Sequence, residues 1–188
     1  MSLAAKYRKS FEDKWAVRFK TLHPDGDAYN GIVVLLRRMF VVLKAISDFE
    51  FDGFVVLPKR VITGYRDSDF EALENEIIQK KYILNELRAP NWLWTCLTLR
   101  DLLETLERHR IWPGVEVLFN DGKESAFYLG PITEVKAETF SLYCYDGAGH
   151  WEKEYEMDYG DILKIQFGDK YARYFNKYMK QSGGPPTP

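Results

Sequence analysis

Cysteine is nearly absent from the 188-residue chain: Cys96 and Cys144 stand far apart, with no CxxC or Cys/His spacing around them. That argues against a disulfide-stapled scaffold or a structural zinc site and fits a reducing compartment. Both are expected as small buried apolar residues. Long apolar runs are missing too, since no stretch approaches the roughly 18 residues of a membrane span. The opening Met1-Ser2-Leu3-Ala4-Ala5-Lys6-Tyr7-Arg8 carries no apolar secretion core. A cytoplasmic location with no membrane association is the expectation. An excess of one charge is also lacking: 26 Lys and Arg stand against 28 Asp and Glu, a net of −2. Such a balance argues against coating nucleic acid by bulk electrostatics.

Catalytic signatures are missing as well. The chain has no Gly-x-Gly-x-x-Gly, Gly-Lys-Ser/Thr, His-Glu-x-x-His or Gly-x-Ser-x-Gly. Its three histidines, His23, His109 and His150, fall in a turn, near a helix end and in a hairpin. Nothing in the sequence pairs them with an acid, so each is expected as an ordinary surface residue. Glu152, Glu154, Glu156 and Asp158 alternate along one strand and share a face. Paired carboxylates serve acid–base chemistry or hard cations, but a row opposite Trp151, Tyr155 and Met157 reads as a solvated face that discourages edge aggregation. The expectation is no enzyme, no cofactor and no metal.

Aromatic residues are abundant at 15%, suggesting β-rich cores. Leu3, Tyr7, Phe11 and Trp15 recur at helical spacing, and Trp15, Val17 and Phe19 then alternate as in a strand. His23-Pro24-Asp25-Gly26-Asp27 is a turn. Gly31 to Ile46 reads as two strands meeting near Arg37-Arg38, and Asp52-Gly53 as a hairpin leading into a strand over Phe54 to Leu57. Asp69 caps a helix carrying Phe70, Leu73, Ile77 and Leu84. Pro90 marks a boundary, and Thr98 with Asp101 forms a capping box before Leu99, Leu102, Leu103 and Leu106. Beyond Trp112-Pro113-Gly114, strands follow at Val115 to Phe119, Ala126 to Thr133, Phe140 to Tyr145, Trp151 to Met157 and Ile162 to Phe167. Asn120-Asp121-Gly122 turns the chain between the first two. Gly168-Asp169 opens a last helix with Tyr171, Tyr174, Phe175 and Tyr178, and a disordered tail is expected from Gln181 to Pro188.

A shift of 100 sets Phe40 on Phe140, Phe51 on Trp151, Leu57 on Met157 and Ile62 on Ile162, and the same order of elements occurs twice. A helix followed by five strands, with a short turn before the last, resembles the Sm-like branch of the SH3-type small barrels. The segment Trp151 to Tyr171, with Asp161-Ile162, Phe167-Gly168 and Tyr171, looks like tandem-barrel bacterial proteins. The resemblance covers residues 97–178 and, more loosely, 10–85. It implies a mainly β chain with flanking helices and two tandem Sm/SH3-like small β-barrels, 1–88 and 97–180, then a tail at 181–188. Gly130 and Ile132 match the opening of the Sm base pocket, whereas Lys136 and Phe140 replace its Asp and Asn. Tyr159-Gly160-Asp161-Ile162 keeps the second motif's Gly without its Arg, and Lys59-Arg60-Val61-Ile62 lacks the Gly. A uridine pocket is therefore not expected.

The expected function is a non-enzymatic interaction module for a protein partner or self-association. The alternative is RNA or single-strand binding by the first barrel. Residues 1–90 carry 15 basic and 13 acidic side chains, against 8 and 12 in residues 111–180. Within the first half, Arg37, Arg38, Lys59 and Arg60 sit on loops that would close on one another, as phosphate-contacting cations beside Phe40 or Tyr65 or as solvated turn residues. Trp92, Trp94 and Trp112 are expected to pack the halves together; exposed, they would form an aromatic groove for a peptide.

Overall fold

A computed structural model describes residues 1–26, 28–66, 68–81, 87–119 and 122–182. Asp27 of the first turn, Leu84 of the second helix, the Asn120-Asp121 turn and the tail beyond Ser182 lie outside the described residues. In the first half, helix α1 (Leu3–Asp13) precedes strands β1 (Val17–Thr21), β2 (Ala28–Leu36), β3 (Phe40–Ser47) and β4 (Glu50–Pro58). A 3₁₀ turn, strand β5 (Ile62–Arg66) and helix α2 (Asp69–Lys81) complete it. In the second, α3 (Leu99–Arg108) precedes β6 (Gly114–Phe119), β7 (Glu124–Leu129), β8 (Ile132–Val135), β9 (Thr139–Tyr145) and β10 (Trp151–Asp158). Another 3₁₀ turn, β11 (Ile162–Phe167) and α4 (Lys170–Gln181) follow. The order of elements thus recurs about 100 residues on, with one strand more in the second half. No described helix is long and apolar enough to cross a membrane.

Two closed barrels, however, do not form. One eight-stranded antiparallel sheet runs β5-β1-β2-β3-β4-β11-β6-β7, and a separate three-stranded sheet runs β10-β9-β8. Strand β11 keeps β6 of its own half on one edge and pairs with β4 on the other, setting Val56 opposite Ile165 and Phe54 opposite Phe167. The halves are therefore fused by a ladder. Within the second half, the strand expected over Ala126 to Thr133 breaks at Gly130-Pro131, so β7 joins the large sheet and β8 the small one. Pro131 has no N–H to continue a ladder, and a side chain on Gly130 would overlap the Tyr143 carbonyl.

The large sheet curls. Tyr29 of β2 donates to Glu116 of β6 at 3.1 Å across three intervening strands. A flat sheet at about 4.8 Å per step would hold those strands roughly 19 Å apart. The enclosed face buries Phe19, Val33, Val41, Leu43, Leu57 and Leu163. On the other side α3 lays Leu102, Leu103 and Leu106, all fully buried, into a core with Val34, Phe40 and Val56 from the first half and Val115, Phe140 and Ile165 from the second. The main core therefore belongs to both halves.

Two local expectations change. The hairpin between β3 and β4 turns at Asp48-Phe49, both with positive φ, rather than at Asp52-Gly53. Gly53, at φ +70°, lies within β4, where a Cβ would collide with the backbone of Phe167 and Asp169; it permits the close crossing at the seam. Helix α2 docks by a mixed face that buries Ile78 beside polar side chains. Glu71, Glu74 and Asn75 are buried while Phe70 and Leu73 are exposed. Glu71 accepts from Arg66 at 2.6 Å and Asn75 donates to the Ala16 carbonyl at 3.1 Å. Ser68, one residue before Asp69, donates its backbone N–H to Glu71 at 3.0 Å and takes the capping position.

Candidate functional site

The expected cation cluster separates. The two loops do meet, through the Lys59 N–H on the Met39 carbonyl at 2.8 Å, but their side chains diverge. Arg37 donates to the Cys96 carbonyl at 2.8 Å and to that of Trp94, with its guanidinium 5.9 Å from the Trp94 ring. Arg60 reaches into the second half, donating to the carbonyls of Tyr159 at 2.9 Å, Gly160 at 2.6 Å and Ile162 at 2.9 Å. Burial lowers the Lys59 pKa, and its ammonium sits 5.3 Å from the Tyr7 ring. Of the four, Arg38 and Arg60 are exposed, Arg60 with its guanidinium held by those carbonyls. Arg37 and Arg60 thus act as clamps on the inter-half segment and the second 3₁₀ turn.

A buried polar network, unforeseen in the sequence, joins the halves on the enclosed face. His23, expected on the surface, is 8% exposed. Its Nε2 lies 2.6 Å from Glu116 Oε1 and 3.1 Å from Ser125 Oγ, and its Nδ1 accepts the Asp25 N–H at 3.1 Å. That acceptance places the proton of a neutral imidazole on Nε2, facing Glu116. Glu116 Oε2 also receives Lys164 Nζ at 3.0 Å. Burial alone would raise the Glu116 pKa, but Lys164 and His23 outweigh it and hold the carboxyl below its ordinary range. Ser125 and Glu116 both meet Nε2, while the exposed Asp25 carboxylate lies 4.0 Å from Nδ1. The network latches the His23 turn of the first half to β6 and β7 of the second. The only signal of Glu116 in the sequence is a lone acid among the apolar residues of an alternating strand.

The other histidines are exposed, His109 stacked on Trp92 and His150 beside Asp146. The acidic row on β10 is exposed, with Glu156 bonded to Lys136 at 2.8 Å and Glu154 to Thr133. Cys96 and Cys144 are buried free thiols, and burial pushes the Cys144 pKa up to about 12.

Where β4, β11, α4 and the segment after α3 meet, the structure opens a groove of about 610 Å³. That size lies in the ~300–1,000 Å³ range of ligand pockets. Phe54, Trp92, Ile111, Trp112 and Phe167 supply its apolar surface. Arg110, Arg173, Lys177 and Lys180 form the rim, and among the described residues the lining holds no carboxylate. The aromatic rings are already packed on neighbours. Trp92 lies 5.3 Å from His109 and 5.7 Å from Phe167. Phe54 stacks on Phe167 at 5.3 Å and carries Lys44 Nζ at 4.4 Å. Trp112 contacts Trp151 at 5.9 Å and Lys180 Nζ at 4.5 Å. The expected packing role of the tryptophans and the alternative aromatic groove therefore meet at one place, while Trp94, 46% exposed, lies against Phe11.

Comparison with protein-family models, curated proteins and solved structures found no match for this chain.

Proposed function

We propose that the protein is a non-enzymatic interaction module, acting in a reducing cytoplasm, that binds a segment of a protein partner in the groove at the seam between its halves. The observation that carries this reading is the groove itself: a preformed apolar trough whose rim, among the described residues, is cationic and free of carboxylates. Apolar surface supplies the favourable burial, and rim charges select and orient the partner. The nucleic-acid reading loses its basis where Arg37 and Arg60 hydrogen-bond carbonyls of the chain itself.

The test is retention of partner protein from lysate on immobilised full-length chain, with the double reversal Arg173→Glu/Lys177→Glu as the paired control. Both residues are exposed, so the variant keeps the parent Tm. A protein held by the parent and released by the variant supports the reading; equal retention by both overturns it. A labelled oligonucleotide binding with a steep salt slope would replace it with the nucleic-acid alternative.

A further inference from the structure

Resting on that reading, we infer that the segment accepted at the seam is acidic with an apolar anchor, and that Arg110 is held in an unfavourable backbone conformation to select it. Arg173, Lys177 and Lys180 recur along one face of α4. Seven residues of helix place the first and last about 10 Å apart, a row suited to several carboxylates along a segment rather than to one. Arg110 lines the same groove, its carbonyl bonded by Lys180. Among the described residues no carboxylate pairs with Arg110, Arg173 or Lys177, whereas other cations at or near the seam are matched, as Lys164 is by Glu116 and Lys170 by Glu50.

The rim is pre-organised, which lowers the ordering cost of binding. Asn176 donates to the Trp112 carbonyl at 3.0 Å and accepts from Tyr145 at 2.7 Å. Lys180 donates to the Arg110 carbonyl at 3.3 Å. Helix α4 is therefore fixed against the segment that bears Arg110. That segment ends α3 in a Schellman motif: the Arg110 N–H bonds the Glu107 carbonyl at 2.8 Å, and the Ile111 N–H bonds that of Leu106 at 2.9 Å. The motif needs a left-handed residue at the Arg110 position, where φ is 54°, and glycine is the residue that takes it without strain. Arginine there is a local conflict at the lip of the groove, the pattern of backbone strain held at a binding site. A nucleobase, by contrast, would seek open ring faces for stacking, and the groove's rings are packed on His109, Phe167, Lys44, Lys180 and Trp151.

The experiment is selection of a random dodecapeptide phage library on the full chain, followed by titration of one enriched synthetic peptide. Enriched sequences are expected to be net negative with at least one large apolar residue, and affinity to fall as salt rises. Arg173→Glu should weaken the peptide by about tenfold or more. Arg110→Gly should weaken it severalfold while raising Tm by about 2–4 °C, since glycine relieves the strain. Neutral or basic winners that the rim variant still releases would overturn the acidic class and leave the protein-binding reading standing. No enrichment, or enrichment insensitive to both variants, would overturn both. An Arg110→Gly variant that gains Tm with unchanged affinity would reduce Arg110 to a helix cap.

Discussion

Glu116 shows how much one side chain on a strand can carry. Its carboxylate, with 9% of the side chain exposed, serves Lys164 at 3.0 Å and His23 at 2.6 Å. Replacing it by alanine strands the Lys164 ammonium with its partner gone, a change that costs about 3–5 kcal/mol when a buried pair is broken; urea denaturation of Glu116→Ala measures it. The pH dependence follows from the direction of the shift. Burial pushes the carboxyl up, Lys164 and His23 pull it further down, and the pKa ends below its ordinary value. A carboxyl whose pKa falls on folding stabilises the fold above its unfolded pKa, and that contribution disappears as pH drops through the folded one. The parent should therefore lose stability more steeply than Glu116→Gln below about pH 4.3, the ordinary glutamate pKa. Parallel denaturation curves for the two proteins would refute the latch.

Glycine and cap positions decide how the elements meet. Gly53 lies at φ +70° against the backbone of Phe167 and Asp169, whereas a Cβ on Gly64 would have nothing within 4 Å. Gly53→Ala should therefore cost well over 1 kcal/mol and Gly64→Ala far less, a contrast that paired thermal melts resolve. Thr98 and Asp101 close a reciprocal capping box on α3, so Thr98→Ala should cost about 1 kcal/mol. That box, the alternating strands, the short turns before the last strands and, apart from the split of β7 and β8, the doubled order of elements were legible in the sequence because each is written in local period and spacing. The largely polar docking face of α2 was not, since Phe70 and Leu73 supplied the apolar helical pattern while burial went to Glu71, Glu74 and Asn75 beside Ile78. Their partners, Arg66, Asn30 and Ala16, are brought in by the sheet. Asp52-Gly53 misled for a related reason: the glycine answers to a long-range crossing rather than a turn.

At the scale of the whole molecule, pairing across the repeat is what the sequence could not reveal. A period shows that two halves share a plan, but nothing in it says that β11 will pair with β4 and leave both halves open. The same pairing brings Phe54 beside Phe167 and sets α4 over the end of α3, creating the groove as a product of fusion rather than of either half. It also relocates the candidate site: Arg37 and Arg60 clamp the two halves together, and Arg110, Arg173, Lys177 and Lys180 line the groove. Because the main core draws on both halves, unfolding should be a single calorimetric transition with matching calorimetric and van't Hoff enthalpies. Two resolved transitions would contradict the shared core. The most direct measurement is hydrogen exchange of the full chain with and without a selected peptide. Protection concentrated at residues 110–112 and 170–181 is the expected result; protection centred on residues 37–38 and 59–60, or none, would contradict the seam as the binding site.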